Sequence, residues 1–277
     1  MSRLPEFAAD FHLLWLISTG GLGGIIGSFL NVVIHRLPVI LERRWRREAL
    51  MLLAHSEPES EQVFNLMIPR SHCPYCFQPL SIRDNIPLLS YLFLKGKSRC
   101  CGERIPIYYP LVEITSSVLF ILAASRFHPG LTLVAAWLFI AMLLVLAVID
   151  CRTAMLPDVL TLSLLWLGLL FSLQGGRVPL EEAVVGAVSG YLCLWGLYWL
   201  FRFVTGREGL GYGDFKLAAA LGAWMGWQVL PSVLLFASVS GLIITVLLRF
   251  VTATDFTRPL PFGPWLALSG VCHFLLM

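Results

Sequence analysis

The sequence has few charged residues. Only 13% of its 277 residues are Asp, Glu, Lys or Arg, whereas 57% are hydrophobic and the mean hydropathy is +0.78. This composition excludes an ordinary soluble globular domain and indicates a membrane protein. The net charge is also small, at +3, and membrane topology accounts for where the basic residues lie, so we predict no nucleic-acid partner.

The sequence also lacks two patterns that are typical of other functions. No glycine-rich loop follows a strand, so the residues alone predict no nucleotide-type pocket. The two halves of the chain show no internal repeat, although such a repeat is typical of secondary transporters.

Long apolar runs dominate what is present. A hydrocarbon core about 30 Å thick requires about 20 residues of helix. The sequence therefore predicts an all-α polytopic membrane protein with about eight transmembrane helices. The predicted spans are residues 12–35, 109–127, 131–149, 156–174, 183–204, 215–229, 231–250 and 259–276.

Basic residues are concentrated between the first two predicted spans. The segment from Arg36 to Arg104 carries many of them, whereas the turns near Arg126 and Arg177 carry one each. The positive-inside rule therefore places this long segment in the cytoplasm. Counting the spans onward brings Asp150 and Asp214 back to the same side of the membrane.

The polar stretch between these spans predicts a small cytoplasmic Cys-rich module. We expect three domains: a first transmembrane helix at 1–37, the module at 38–108 and a seven-helix membrane domain at 109–277. Within the module, residues 42–63 suit an amphipathic helix on the membrane surface followed by a flexible connection. The rest of the module contains four of the seven cysteines, Cys73, Cys76, Cys100 and Cys101.

The spacing of these four cysteines favours a zinc site. Cys73-Pro-Tyr-Cys76 and the adjacent pair Cys100-Cys101 place two thiolates on each of two turns, as tetrahedral zinc requires. Ser98 stands where a second Cys-x-x-Cys pair would begin. The alternative is a reduced cytosolic turn whose cysteines bind no metal.

Two aspartates interrupt the apolar sequence at predicted span ends. Asp150 follows the uninterrupted run 141–149, and Asp214 closes Gly209-Leu-Gly-Tyr-Gly and leads into the next apolar run. Carboxylates within a span are costly and are functional candidates. The alternative is a helix-end residue in contact with water, and for Asp158, directly after Pro157, this alternative is favoured because Asp is a common helix N-cap.

Gly211-Tyr-Gly-Asp214, together with Asp150 upstream, resembles the type IV prepilin peptidases, which belong to the GxGD class of aspartyl proteases. The resemblance covers nearly the whole chain. It also includes Gly27-Ser-Phe-Leu-Asn-Val-Val-Ile-His-Arg-Leu-Pro38, the Cys73 turn, Asp84-Asn-Ile-Pro-Leu-Leu-Ser-Tyr91, Tyr109-Pro-Leu-Val-Glu113, Leu156-Pro-Asp158 and Pro261-Phe-Gly-Pro264.

This resemblance implies a bacterial inner-membrane enzyme with two activities. Asp150 and Asp214 would cleave the basic leader of a prepilin or pseudopilin after glycine. Gly211 and Gly213 would let the backbone approach substrate closely or adopt positive φ. The cytoplasmic module would methylate the new amino terminus with S-adenosylmethionine, and the resemblance points to Asp84, Gly96, Lys97 and Glu113 for this step.

Other interpretations remain open from the residues alone. Glu113 is equally explained by pairing with a basic neighbour such as Arg104. Acidic residues that would attract a basic leader are equally explained by a solvated surface; they are Glu42, Glu48, Glu57, Glu59, Glu61 and Glu208. The whole chain is alternatively a proton-coupled transporter, or a zinc-binding scaffold of a secretion system without catalysis.

Overall fold

The structure is a computed structural model that describes residues 11–54, 64–73, 75–81, 84, 86–207, 209–252 and 261–277. Within these ranges the chain is helical and contains no extended strand beyond two isolated bridges, which join His72 to Pro79 and Lys97 to Arg104. The helices are α1 (His12–Ala54), α2 (Leu89–Phe93), α3 (Tyr108–Arg126), α4 (Leu131–Thr153), α5 (Asp158–Leu173), α6 (Leu180–Thr205), α7 (Tyr212–Met225), α8 (Leu230–Thr252) and α9 (Gly263–Leu276).

The all-α, multi-pass membrane prediction is confirmed. Every predicted span overlaps one of the longer helices, and α1, α3, α4, α6 and α8 are long and apolar enough to cross a bilayer. Helices α5 and α9 are shorter and apolar, and α7 has only 14 residues. The number of eight crossings therefore stays a prediction, as do the three domain boundaries.

The first helix is longer than predicted. We expected the first span to end near residue 35, but α1 continues through Pro38 to Ala54 and has 43 residues. At 1.5 Å per residue it is about 65 Å long, roughly twice the thickness of a hydrocarbon core. Its last part includes residues 42–53 of the predicted amphipathic segment, and those side chains are exposed. Residues 55–63 of that segment lie outside the described residues.

The chain divides into two compact units, Met1–Pro129 and Gly130–Met277. In the first unit, α1 packs closely on α3 through small residues. A Cβ on Gly23 would lie 2.8 Å from the backbone of Ser117, and one on Gly27 would lie 2.8 Å from the Cα of Glu113. Gly23 and Gly27 therefore allow α1 and α3 to pack closely.

The second unit is built around α7. Eleven of its 14 residues are buried, as expected for a short helix that is apolar on all sides. Gly222 of α7 meets Gly186 of α6 backbone to backbone. The indole N–H of Trp224 donates to the carbonyl of Leu164 on α5 at 2.8 Å, so α5 and α6 both hold the helix that carries Asp214.

Candidate active site

Asp150 lies in the last turn of α4 and is buried, with 6% of its surface exposed. Its Oδ2 accepts a hydrogen bond from the backbone N–H of Gly263 at 3.0 Å. Gly263 is the first residue of α9, after Phe262 at the N-cap. The N-terminus of α9, with its unpaired N–H groups and positive end of the helix dipole, therefore faces the carboxyl group of Asp150.

Asp214 lies at the N-terminus of its own helix, α7. It is the third residue of α7, is 6% exposed, and accepts at Oδ2 a 3.2 Å hydrogen bond from the N–H of Gly211. Its Oδ1 is buried and has no hydrogen-bond partner among the described residues. A buried carboxyl oxygen without a partner is costly in a purely structural residue, so this atom is available for a water molecule or a substrate.

The two carboxyl groups lie close enough to influence each other. Asp150 and Asp214 interact electrostatically, although 64 positions separate them in the sequence, counting from 150 to 214. The Leu156 side chain connects their surroundings: a Cβ on Gly213 would lie 2.7 Å from Leu156 Cβ, and one on Gly263 would lie 3.2 Å from Leu156 Cδ1. Neighbouring carboxyl groups do not both ionise readily, so such a pair holds one proton and offers both an acid and a base.

For the glycines of the GxGD motif, the expectation of positive φ is wrong, and close approach of the backbone to substrate stays a prediction. Gly211 has φ −82° and Gly213 lies within α7, so neither adopts the positive φ that we considered. Gly211 instead provides the N–H that binds Asp214, and a Cβ there would meet only Asp214 Oδ2 at an ordinary 3.5 Å. Gly213 is tightly constrained, because a side chain would strike Leu156.

Asp158 has a structural role. It is the first residue of α5 rather than its N-cap, which is Pro157. Its Oδ1 forms an ion pair with Lys216 Nζ at 2.6 Å, and this pair links the start of α5 to α7. The expectation of a helix-end role is confirmed, but the N-cap assignment is wrong by one residue.

Sequence reasoning missed Gly263 as a site residue. The motif Pro261-Phe-Gly-Pro264 is part of the resemblance, but no role was predicted for its backbone, which binds Asp150. A Cβ on Gly263 would lie 2.6 Å from Asp150 Oδ2, which is too close for any side chain. The only signal in the sequence was a glycine between two prolines at a helix start.

The four predicted metal-binding cysteines converge in the first unit. The sulfur atoms of Cys73, Cys76, Cys100 and Cys101 all lie within 4.8 Å of one another. Tetrahedral zinc with bonds of about 2.3 Å separates its sulfur ligands by about 3.8 Å. The Cys73 and Cys101 sulfur atoms lie 3.7 Å apart, whereas those of Cys76 and Cys100 lie 2.9 Å apart. The cluster therefore suits a metal ion after a small outward shift of one thiol.

The pKa of one thiol in the cluster, Cys73, is lowered by its surroundings. Burial opposes ionisation of Cys73, but hydrogen bonds to its sulfur from neighbouring groups outweigh burial and lower the pKa of Cys73 to about 6. Metal ions bind the thiolate form of cysteine, so the environment of Cys73 suits metal binding, whereas the neighbouring Cys100 thiol raises the pKa of Cys76 to about 12.

The residues that the resemblance associates with methyl transfer make different kinds of contact. Asp84 binds the Ser81 hydroxyl at 2.7 Å and forms an ion pair with Arg99 at 2.8 Å; the Ser81 hydroxyl and then Arg99 hold the pKa of Asp84 below its usual range. Gly96 has φ +70° and its N–H donates to the carbonyl of Tyr91. These two residues thus shape the loop. Lys97 pairs with Arg104 through the backbone and has an exposed side chain.

Glu113 of α3 belongs to a group of polar residues between α1 and α3, which also includes Asn31 of α1 and Ser116 of α3 and is called the polar seam here. Its Oε2 accepts the N–H of Leu88 at 2.9 Å, and the described residues contain no ion pair between Glu113 and Arg104. In the same seam, Asn31 Oδ1 and Ser116 Oγ are buried without hydrogen-bond partners among the described residues. Further along, the hydroxyl of Tyr109 lies 2.6 Å from His35 Nε2. This seam, with a carboxylate and unsatisfied polar atoms, has the chemistry to bind a cationic ligand.

Comparisons with known proteins cover both units. Residues 22–127 match the family described as Bacterial Peptidase A24 N-terminal domain, and residues 137–246 match the Type IV leader peptidase family. The chain is 52% identical to a protein named "Prepilin leader peptidase/N-methyltransferase" from Pectobacterium carotovorum subsp. carotovorum, over 100% of this chain and 98% of that protein.

Two further relatives carry the same name. The one from Dickeya chrysanthemi is 52% identical over 99% of this chain and 96% of its own length. The one from Aeromonas salmonicida is 50% identical over 94% of this chain and 88% of its own length. No solved structure matches the chain.

Proposed function

We propose that Asp150 and Asp214 are the proteolytic pair of this chain, which belongs to the type IV leader peptidase family. Like the relatives that it matches over nearly its whole length, the chain is a bifunctional prepilin peptidase and N-methyltransferase. One observation carries this proposal: two buried aspartates from different helices interact with each other, and each accepts a hydrogen bond from a backbone N–H at a helix N-terminus.

The pair hydrolyses the peptide bond without a covalent enzyme intermediate. The ionised carboxylate takes a proton from a water molecule while the water oxygen attacks the scissile carbonyl carbon. The protonated carboxyl group gives its proton to the carbonyl oxygen, which forms a tetrahedral diol. The C–N bond then breaks as the leaving nitrogen takes the proton that came from water, and the other carboxylate takes a proton from a diol hydroxyl, so the pair returns to its one-proton state. Asp214 Oδ1, which has no hydrogen-bond partner in the part of the chain that the structure describes, is available to bind the water or the carbonyl oxygen.

The substrate is a prepilin or pseudopilin precursor, cut after the glycine that ends its basic leader. Such a precursor has a leader in water and a hydrophobic helix in lipid, so its cleavage site lies at the edge of the bilayer. Asp150 lies in the last turn of a membrane-spanning helix, which suits this depth. The basic segment between the first two spans supports an inner-membrane protein whose site and Cys-rich loop face the cytoplasm.

Some acidic residues contribute to the attraction of the leader. Glu42 is exposed near the C-terminal part of α1 and suits this role. Glu48 is less suitable because it forms an ion pair with Arg44 at 2.9 Å. The remaining candidates lie outside the described residues; they are Glu57, Glu59, Glu61 and Glu208.

The second activity uses the polar seam between α1 and α3. When bound, S-adenosylmethionine supplies an activated methyl group for the new amino terminus. Glu113 is the residue proposed to bind the cationic partner, because its carboxylate is fixed by the N–H of Leu88. Asp84 and Gly96 hold the loop that precedes α3, and Lys97 is exposed beside it. Zinc bound by Cys73, Cys76, Cys100 and Cys101 stabilises this module.

Cleavage by the purified full-length protein in detergent tests the proteolytic assignment. Wild-type protein should release the leader from a prepilin, and Asp150→Asn and Asp214→Asn should each abolish release while protein yield and thermal stability are retained. Asp158→Asn is the matched control, because it removes a carboxylate of the same unit that pairs with Lys216. A variant at position 150 or 214 that still cleaves would remove that residue from the mechanism.

A further inference from the structure

The Cys-rich module contains the same turn twice. Turn A comprises residues 71–80 and turn B comprises residues 96–105, so equivalent positions differ by 25. Each turn has one isolated antiparallel bridge at equivalent positions, and the residues at positions 77 and 102 both have positive φ. The backbone hydrogen bonds also correspond: Leu80 to Ser71, Cys73 to Gln78 and Phe77 to Cys73 in turn A match Ile105 to Gly96, Ser98 to Glu103 and Gly102 to Ser98 in turn B.

This correspondence identifies which cysteines are equivalent. Cys76 in turn A corresponds to Cys101 in turn B, so these two thiols have the same place in their turns. Cys73 corresponds to Ser98, which is a serine at a position where the repeat would provide a fourth thiol. Cys100 corresponds to Tyr75 and therefore has no counterpart among the thiols of turn A.

The side chain of Ser98 lies inside the thiol cluster. Ser98 is 8% exposed, and its Oγ lies 3.0 Å from the Cys100 sulfur and 3.4 Å from the Cys73 sulfur. The Cys100 sulfur is within 4.8 Å of the other three sulfur atoms, although its position in the turn is not the repeated one. A serine hydroxyl is a hydrogen-bond donor, and thiolates are acceptors.

We propose that Cys100 provides the fourth metal ligand from outside the repeat, and that Ser98, which holds the vacated ligand position, donates its hydroxyl hydrogen bond to the Cys100 thiolate. This inference rests on the proposed zinc site and assigns a role to Ser98 within it. The physical reason is that a hydroxyl in the repeated position is a poor zinc ligand beside three thiolates, whereas it satisfies part of the charge on a neighbouring thiolate.

Cobalt substitution tests both parts of the inference in the full-length protein. Cobalt(II) absorption reports how many thiolates bind the metal, and competition with a chelator reports zinc affinity, so neither readout depends on enzymatic activity. Wild-type protein should give a four-thiolate spectrum. Cys100→Ser should lose one thiolate and bind zinc at least tenfold more weakly. Cys193→Ser, at an exposed cysteine of the other unit, is the matched control and should equal wild type.

Two variants at position 98 distinguish the role of the fourth thiolate ligand from the role of the Ser98 hydroxyl as a hydrogen-bond donor. Ser98→Cys combined with Cys100→Ser restores the repeated position and should recover the four-thiolate spectrum and wild-type affinity. Ser98→Ala should keep four thiolates but bind zinc about 10- to 100-fold more weakly, the usual effect of removing a hydrogen-bond partner of a metal ligand.

The outcomes distinguish this inference from the zinc assignment on which it rests. Wild-type protein that binds neither zinc nor cobalt would refute the metal site itself. Metal binding by wild type with an unchanged spectrum and affinity in Cys100→Ser would overturn the role of Cys100 alone. Unchanged zinc affinity in Ser98→Ala would refute the proposed hydrogen bond from Ser98 to Cys100. If the double variant Ser98→Cys with Cys100→Ser bound zinc as weakly as Cys100→Ser alone, the equivalence of positions 73 and 98 would be contradicted.

Discussion

Gly263 offers the sharpest test of how the second unit positions its aspartates. A Cβ added at this residue would lie 2.6 Å from Asp150 Oδ2, whereas ordinary contacts begin at 3.4 Å. Since 3.4 minus 2.6 is 0.8, Gly263→Ala must displace that oxygen by about 0.8 Å. The displaced atom is the end of a side chain, so the cost to folding is small, but the oxygen belongs to the proposed base or acid.

We expect Gly263→Ala to lower kcat for leader cleavage by about 10²-fold, because a displacement of about 1 Å costs that much in well-positioned sites. This corresponds to about 2.7 kcal/mol of activation free energy. KM should change little, because Gly263 binds the carboxyl group of Asp150. Methylation of an already cleaved substrate should be retained, because the residues proposed for that step lie in the other unit.

Gly270→Ala on the same helix is the matched control. A Cβ there would also make a 2.6 Å contact, but with Leu221 Cδ2, the flexible end of an apolar side chain. The assay measures kcat and KM of leader release in detergent, together with the thermal stability of each variant. Wild-type kcat in Gly263→Ala, or an equal loss of kcat in Gly270→Ala, would refute the argument that α9 positions Asp150.

Three other predictions follow from the packing and the polar seam. Gly222→Leu should lower the free energy of unfolding by about 1–3 kcal/mol or more, and with it the melting temperature in detergent, because Gly222 meets the backbone of Gly186; an unchanged melting temperature would contradict this close approach. Trp224→Phe should destabilise by about 1–3 kcal/mol, since the buried carbonyl of Leu164 loses its donor, and a loss below that range in chemical denaturation would count against the bond. Glu113→Gln should slow methylation about 10- to 100-fold with cleavage retained, because the amide still accepts the N–H of Leu88 but carries no charge; equal methylation rates would exclude Glu113.

Much of the candidate site was predictable because its chemistry is local in the sequence. Asp150 and Asp214 were identified as carboxylates at the ends of apolar runs, and the family motifs around them reinforced that choice. The four cysteines were identified by spacing alone. The structure brings the four cysteines together, and the two aspartates interact electrostatically, while their catalytic role stays a prediction.

The errors have physical causes that a linear sequence does not reveal. The first span was predicted to end near residue 35, yet α1 continues through Pro38 to Ala54. Gly213 suggested a special backbone conformation, yet it is helical and is required because the Leu156 side chain lies against it. In both cases the outcome depends on neighbours in space, which adjust the local preference of the residue.

The sequence by itself determined that this protein is helical and crosses the membrane several times, and it identified the candidate aspartates and cysteines, because apolar periodicity and residue spacing are local properties of the chain. Only the tertiary structure decided which atoms meet: the N–H of Gly263 on Asp150, the N–H of Gly211 on Asp214, and Ser98 among the thiols. These contacts arise from the packing of helices and turns, and packing depends on shapes that residue types alone do not specify.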